Sequence, residues 1–148
     1  MRLGQTLNIA TNPWSHHVLG EQIPKEDPEW SEINKYRNYW GYEIEMLKDT
    51  AKALNFTYTI ENPPDGKWGH IEPDGNWNGL VYYVSKDNVD IVICDVFIVY
   101  GRQQVCSFTV FENCSKSIIF YNIAKSLTEL LLYQVLKIFV LIIQETLC

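Results

Sequence analysis

Residues 41–60, GYEIEMLKDTAKALNFTYTI, decide the fold. Their first part predicts a helix over residues 41–54, because apolar residues recur every three or four positions while charged residues fill the other side. The second part, residues 56–60, alternates between apolar and polar residues and predicts a strand. We expect the helix to pack its apolar face against a sheet that contains this strand. That face consists of Ile44, Leu47, Ala51 and Leu54.

Further strands and helices are predicted on both sides of this unit. Residues 7–11 predict a first strand, and residues 90–94, in which an apolar run follows Asp90, predict a strand that is buried on both faces. A helix is predicted to begin after an N-cap at Asn78, residues 103–108 predict a short helix or turn, and residues 117–121 predict a last strand. The alternation of strands and helices predicts an α/β fold with a mainly parallel sheet.

Two segments depart from this alternation. Residues 12–40 contain three prolines and many charges, which predicts an irregular loop or an insertion. Residues 122–148 are predicted to form an apolar C-terminal helix. Because Lys137 interrupts the apolar stretch over residues 127–143, this helix fits either a marginal membrane segment or an amphipathic helix, with a lean towards the membrane. We therefore expect one domain over residues 1–121, followed by a membrane segment or an aberrant tail.

The composition excludes several classes of protein. Of the 148 residues, 47% are apolar and 20% are charged, and the formal net charge is −6. The apolar fraction is too high for a disordered chain, and the length suits one domain or a piece of one. Nucleic acid is not expected as a partner, because the chain is acidic and has no run of lysine and arginine that could bind phosphates.

The sequence contains no pattern typical of a catalytic or metal site. The cysteines form no C-x-x-C pair, and His16-His17 has no third ligand nearby in the sequence, so we predict no metal site. Cys94 lies in an apolar run and is expected to be a buried thiol. Glu43 and Glu45 do not share a helix face and are expected to be solvated. We predict no catalytic residue, no cofactor and no enzyme activity; a hydrolase with Asp, Glu and His residues in a cleft is the weaker hypothesis.

Two short sequons, of a kind that often occurs by chance, are present in the chain. Asn55-Phe56-Thr57 and Asn113-Cys114-Ser115 are possible N-glycosylation sites. The first residues of the chain contain no apolar stretch of the kind that forms a signal peptide. Sequons without a signal peptide lead us to expect that the chain is a fragment of a longer protein.

Five sequence motifs follow one another, at residues 41–58, 65–69, 74–80, 90–93 and 100–108. In this order and spacing they resemble the first ligand-binding segment of the ionotropic glutamate receptors. The resemblance is closest to the divergent ionotropic receptors of arthropod chemosensation. Each motif is weak by itself, whereas the ordered series is specific.

The resemblance implies both a fold and a function. The family fold is a two-lobed clamshell of the periplasmic-binding-protein type, and this chain is expected to form most of its first, three-layer lobe. A small ligand (an amino acid, an acid or an amine) is expected to bind between the lobes and to gate a cation channel. The resemblance also implies tetrameric receptors in the plasma membrane, with the ligand-binding lobe outside the cell. A soluble solute-binding lobe with no channel role is the alternative.

Four residues are candidates for ligand binding by resemblance. Arg102 matches the family arginine that binds the ligand carboxylate, for which a guanidinium supplies two parallel donors; Trp68 matches an aromatic wall of the pocket. The alternatives are an ordinary surface arginine and a loop aromatic that packs on its own turn. Where the family has Pro-Leu-Thr, this chain has Asp95-Val96-Phe97. Phe97 removes a donor and adds bulk, while Asp95 can neutralise Arg102 or bind an amine, which argues against glutamate or glycine as the ligand.

Overall fold

The computed structural model describes residues 5–14, residues 17–108 and the backbone of residues 118–122. Within these residues the chain alternates between strands and helices, as the sequence predicts. Its elements, in chain order, are β1 (Thr6–Ala10), β2 (Leu19–Gln22), β3 (Tyr36–Trp40), α1 (Tyr42–Leu54), β4 (Thr57–Glu61), α2 (Gly79–Ser85), β5 (Ile91–Cys94), α3 (Tyr100–Gln103), β6 (Cys106–Phe108) and β7 (Ile118–Asn122).

The main sheet of the described residues has five strands in the order β4-β1-β5-β7-β6. β1 runs parallel to both β4 and β5, whereas β7 runs antiparallel to β5 and β6. The chain passes from β1 to β4 on one side and then crosses back to β5 on the other. The direction of winding therefore changes beside β1. In open α/β sheets, ligands bind at such a point, outside the carboxyl ends of the strands.

Two hydrophobic clusters lie on opposite faces of this sheet. α1 packs on one face against Leu7 and Ile9 of β1 and Ile91 of β5. α2 packs on the other face against Ala10 and Val92. This alternation follows from the period of two in a strand, and it produces the three-layer lobe that the sequence predicts. The predicted apolar face of α1 is correct: Ile44, Leu47 and Ala51 are buried and Leu54 is half-buried.

The segment 12–40 is more regular than the sequence indicates. It contains a two-stranded antiparallel hairpin made of β2 and β3. The prolines and charges that suggested an irregular loop lie mainly in the connection between the strands. There Arg37 of β3 forms ion pairs with Glu21, Asp27 and Glu29, each at 3.2 Å. The prediction of an irregular loop over the whole segment was therefore wrong.

Glu43 is a second correction. It was expected to be solvated, yet its side chain is only 1% exposed, in the first turn of α1. Its backbone N–H donates to the carbonyl of His17 at 3.1 Å, and its Oε1 lies 3.7 Å from Nδ1 of the same histidine. The loop after β1 thus covers the start of α1 and buries the carboxylate. Glu45, on the outer face, is exposed as expected and pairs with Lys48 at 2.7 Å.

Some sequence predictions fall on residues that the structure does not describe. These are His16, the sequon at Asn113 and the tail over residues 123–148. Among the residues that are described, none of the helices has the length and apolar character required to cross a bilayer. The prediction that the tail associates with a membrane remains a prediction.

Candidate functional site

Buried polar side chains join the carboxyl ends of the three parallel strands. The Thr11 hydroxyl, just after β1, donates to the carbonyl of Ile93 in β5. Asn62, just after β4, donates its amide to the carbonyl of Thr11 at 2.8 Å and accepts the hydroxyl of Tyr39 at 3.1 Å. Buried polar groups of this kind must be paired, so they fix the backbone around them. The ends of the strands form a rigid base for the loops that follow them.

The loop of residues 65–69 is attached to this base and to α2. Asn12 donates its amide to the carbonyls of Gly66 and Lys67 at 3.2 and 3.0 Å. The Asp65 carboxylate accepts the backbone N–H of Gly79 at 3.0 Å. Asn78 is the N-cap residue of α2, as predicted, but its side chain makes no capping hydrogen bond. The carboxylate of Asp65 caps the helix instead.

Two motif glycines allow the loop to approach α2 closely. Gly69 has φ 124°, and a Cβ built on it would lie 2.4 Å from Cγ2 of Val81. Gly79 has φ 59°, and its Cβ would lie 2.2 Å from the carbonyl oxygen of Lys67. Any larger residue would both adopt a strained φ and collide with its neighbour. Gly69 is therefore explained by close contact with the side chain of Val81, and Gly79 by close contact with the backbone of Lys67.

Arg102 is held by two backbone carbonyls. Its Nε and Nη2 donate to Gly69 O at 3.1 and 2.7 Å, and its Nη1 donates to Phe97 O at 2.8 Å. Partial burial lowers the pKa of Arg102 from its usual value, but a guanidinium stays protonated in proteins. Since a guanidinium has five N–H groups, one remains on each terminal nitrogen. Arg102 thus belongs to the short helix α3, and the carbonyl of Gly69 in the 65–69 loop orients its guanidinium.

Asp95 lies directly after β5, at the point where the winding of the sheet changes. The side chain is half-buried, and its Oδ1 is buried without a hydrogen-bond partner in the described part of the chain. Within that part, no ion pair joins Asp95 to Arg102. The possibility that Asp95 neutralises Arg102 is thus not realised. Oδ1 is closed to solvent, so any contact with a molecule outside the protein would use the exposed part of this half-buried side chain.

Aromatic side chains surround this edge of the sheet. Phe97 is 58% exposed, and its backbone carbonyl is the one that accepts from Nη1 of Arg102. Trp68 is half-buried and donates its indole N–H to Sγ of Cys94 at 3.2 Å. Its ring meets that of Trp14 edge to face, with centroids 5.4 Å apart. Trp14 is 53% exposed and was missed in the sequence; its position just after the first predicted strand is the signal that could have identified it.

The cysteines of this region are not reactive groups. Burial, aided by the negative charge of Glu43, raises the pKa of Cys94 to about 12. Burial also raises the pKa of Cys106 to about 12. Thiols of this kind are protonated at neutral pH and are poor nucleophiles. Cys94 is therefore the buried thiol that the sequence predicts.

Residues 7–123 match the family model described as the ligated ion channel L-glutamate- and glycine-binding site. The chain belongs to this family. The match covers all the described strands and helices, apart from Thr6, the first residue of β1. The resemblance to ionotropic glutamate receptors that the ordered motifs predict is confirmed.

Curated members of the family share part of this sequence. The kainate ionotropic glutamate receptor glr-3 of Caenorhabditis elegans is 37% identical over 78 residues, which are 53% of this chain and 9% of that receptor. Ionotropic receptor 25a of Drosophila melanogaster is 34% identical over 74 residues, 50% of this chain and 8% of that receptor. A probable glutamate receptor of Gallus gallus is 38% identical over 69 residues, 47% of this chain and 14% of that receptor. The chain thus spans about a tenth of the length of these relatives.

Solved ligand-binding domains of the family have the same fold. The glycine complex of a Mnemiopsis leidyi ionotropic glutamate receptor domain superposes with a TM-score of 0.61 at 18% identity, over 72% of this chain and 40% of that chain. Drosophila muscle GluRIIB in complex with glutamate superposes with a TM-score of 0.56 at 24% identity, over 71% of this chain and 39% of that chain. The predicted fold class, one lobe of the clamshell, is confirmed.

Proposed function

We propose that this chain is the arginine-bearing first lobe of the ligand-binding domain of a ligand-gated cation channel, and that the channel serves chemosensation. Membership of the glutamate- and glycine-binding family supports the receptor part of the proposal. The exchange of the family's Pro-Leu-Thr for Asp95-Val96-Phe97 supports the chemosensory part, because it changes the chemistry beside the arginine. In the intact receptor, a tetramer, the lobe would lie outside the cell at the plasma membrane.

The arrangement of Arg102 carries this proposal. The carbonyls of Gly69 and Phe97 fix the guanidinium before any ligand arrives. The two remaining N–H groups, one on each terminal nitrogen, can donate to the two oxygens of a carboxylate. Since the side chain is already ordered, binding loses little of its conformational freedom.

Asp95 and the aromatic side chains would select the rest of the ligand. The side chain of Asp95 is half-buried, and its accessible part would attract a ligand ammonium through a charge-assisted hydrogen bond. Phe97 and the pair of Trp14 and Trp68 present apolar surface for the body of the ligand. We infer that the preferred ligands are amines, or zwitterions whose ammonium group reaches Asp95, rather than simple acids.

Gating would follow from closure of a second lobe over the bound ligand. A ligand shifts a conformational equilibrium only by its difference in affinity for the two states. The contacts described here lie on one lobe and would be present in both states. Selective stabilisation of the closed state therefore depends on contacts that the second lobe adds to the exposed side of the ligand.

The full chain of 148 residues can be tested directly by calorimetric titration with butyrate, butylamine and glycine. We expect Arg102→Lys to weaken the binding of butyrate and glycine by about 10- to 100-fold, since a hydrogen bond to a charged group contributes about 1.5–3 kcal/mol. We expect Asp95→Asn to weaken butylamine and glycine and to leave butyrate unchanged. Arg37→Lys, in the hairpin, is the matched arginine control and should change none of the three.

The outcomes separate the parts of the proposal. Butyrate binding that survives Arg102→Lys would overturn the role of this arginine, and butylamine binding that survives Asp95→Asn would overturn the role of the aspartate. The channel role is tested by recording currents from the receptor that contains this segment. Ligand binding without any current would favour the solute-binding alternative.

A further inference from the structure

Asn55 lies between α1 and β4 and belongs to the first sequon of the chain. It is exposed, and its backbone is in the left-handed conformation, with φ 52° and ψ 53°. Its backbone N–H donates to the carbonyl of Ala51 and so ends the helix. The next residue, Phe56, is buried in the cluster under α1. The polypeptide therefore turns inward directly after Asn55 and leaves the asparagine side chain on the surface.

The end of α1 explains why residue 55 is an asparagine, but it places no requirement on residue 57, which is the threonine of the sequon. Asparagine is common in the left-handed position after a helix. Thr57, in contrast, is exposed at the start of β4, and its hydroxyl forms a 2.7 Å hydrogen bond with the hydroxyl of Thr6. Serine could make the same hydrogen bond. The cap of α1 does not depend on residue 57. Substitutions of Thr57 can therefore remove the sequon without changing the end of the helix.

The position is far from the ligand site in the topology of the sheet. β1, β4 and β5 are parallel, so their amino ends lie at one edge and their carboxyl ends at the other. Asn55 precedes the amino end of β4, whereas Asp95 follows the carboxyl end of β5. A bulky group on Asn55 would not obstruct a ligand or a second lobe that closes on Arg102.

The strand that follows Asn55 is an outer strand. In the order of the described sheet, β4 stands at the end and has β1 as its neighbour on one side. An outer strand with an open side is a template for pairing with another chain, and proteins commonly protect it with charges, bulges or a covering group. β4, with the sequence TYTIE, has one charged residue, at its far end. Within the described residues, β4 itself has no charged side chain at its amino end.

We propose that Asn55 carries an N-linked glycan that shields the open side of β4. The inference rests on the extracellular location in the proposed function. An oligosaccharide on an exposed asparagine is bulky and solubilising. Attached at the start of an outer strand, it excludes a second chain from the edge without any contact with the ligand site.

Glycan attachment is tested by expressing the full chain behind a cleavable secretion signal, with a reporter sequon added at its end. Every variant also carries Asn113→Gln, so that the second natural sequon does not contribute. We expect digestion with an endoglycosidase to remove two glycans from the parent chain and from Thr57→Ser. We expect it to remove only the reporter glycan from Thr57→Val and Asn55→Gln. A parent chain that carries the reporter glycan alone would overturn the proposal.

Shielding is tested on the glycosylated chain before and after enzymatic removal of the glycan, by sedimentation in one detergent. We expect removal to shift the chain towards dimers and larger species. An unchanged distribution would overturn the shielding role while attachment stands. Neither result affects the titrations of Arg102, so failure of this inference and failure of the proposed function are distinguishable.

Discussion

Replacement of Gly69 by alanine tests how the loop of residues 65–69 positions the arginine. The added Cβ would lie 2.4 Å from Cγ2 of Val81, at a φ of 124°. Backbone strain of this kind costs about 1–3 kcal/mol, and overpacking of a close contact costs about 1–3 kcal/mol more. We therefore expect Gly69→Ala to lower the free energy of unfolding by about 2–6 kcal/mol, a large part of the roughly 5–15 kcal/mol typical of a domain.

Gly66→Ala is the matched control within the same loop. Gly66 also has a positive φ, of 64°, but nothing lies within 4 Å of its added Cβ. We expect Gly66→Ala to lower the free energy of unfolding by only about 1–2 kcal/mol, which is the cost of the left-handed conformation for a residue with a Cβ. Thermal unfolding of the full chain, followed by circular dichroism, measures the difference, at about 2–4 °C per kcal/mol for a chain of this size. Equal shifts in the two variants would refute the argument that close contact with Val81 is the reason for Gly69.

Three further predictions follow from individual contacts. Asp65→Ala removes the carboxylate that caps α2 at Gly79, and we expect a loss of about 0.5–2 kcal/mol in urea unfolding, against no measurable loss for Asp49→Ala on the exposed face of α1. The pKa values of Cys94 and Cys106 are raised from 9.0 to about 12 in the folded state, so their contribution to stability is present below about pH 9 and is lost as the pH rises towards 12. Between pH 7.5 and pH 10, the free energy of unfolding should therefore fall less in Cys106→Ala than in the parent chain. Tyr39→Phe removes the hydroxyl that donates to buried Asn62 and should cost about 1 kcal/mol by the same urea assay. A loss below the error of that assay would show that the hydrogen bond from the Lys35 backbone N–H to the same oxygen is sufficient.

The parts of the fold that follow from local periodicity could be predicted from the sequence. The spacing of Ile44, Leu47 and Ala51 determines which side of α1 is buried, because a helix repeats every 3.6 residues. The apolar run that ends at Cys94 requires a strand covered on both sides. These patterns depend only on neighbours in the chain, so the sequence contains the information.

The parts that depend on distant contacts could not be predicted. Glu43 was expected in solvent because its helix position is polar, but the loop at His17 folds over it. The local pattern predicts a helix or turn over residues 103–108, whereas α3 ends at Gln103 and is followed by β6, which forms by pairing with β7. In the site, the motifs indicate Arg102 but not its hydrogen bonds to the carbonyls of Gly69 and Phe97. These bonds depend on the close approach of the 65–69 loop to α2, which cannot be predicted from neighbouring residues in the sequence.

The hydrogen bonds from Arg102 to the carbonyl of Gly69 have a consequence for how the ligand preference of such a site can change in evolution. The carbonyl that orients the guanidinium belongs to a residue pressed against Val81 of α2. A change in the size of that valine would tilt the loop and re-aim the arginine without altering any group that touches a ligand. In the proposed site, ligand affinity would thus respond to the size of a residue in the hydrophobic layer behind the sheet, and selection could adjust a receptor to new ligands while every residue at the ligand surface keeps its identity.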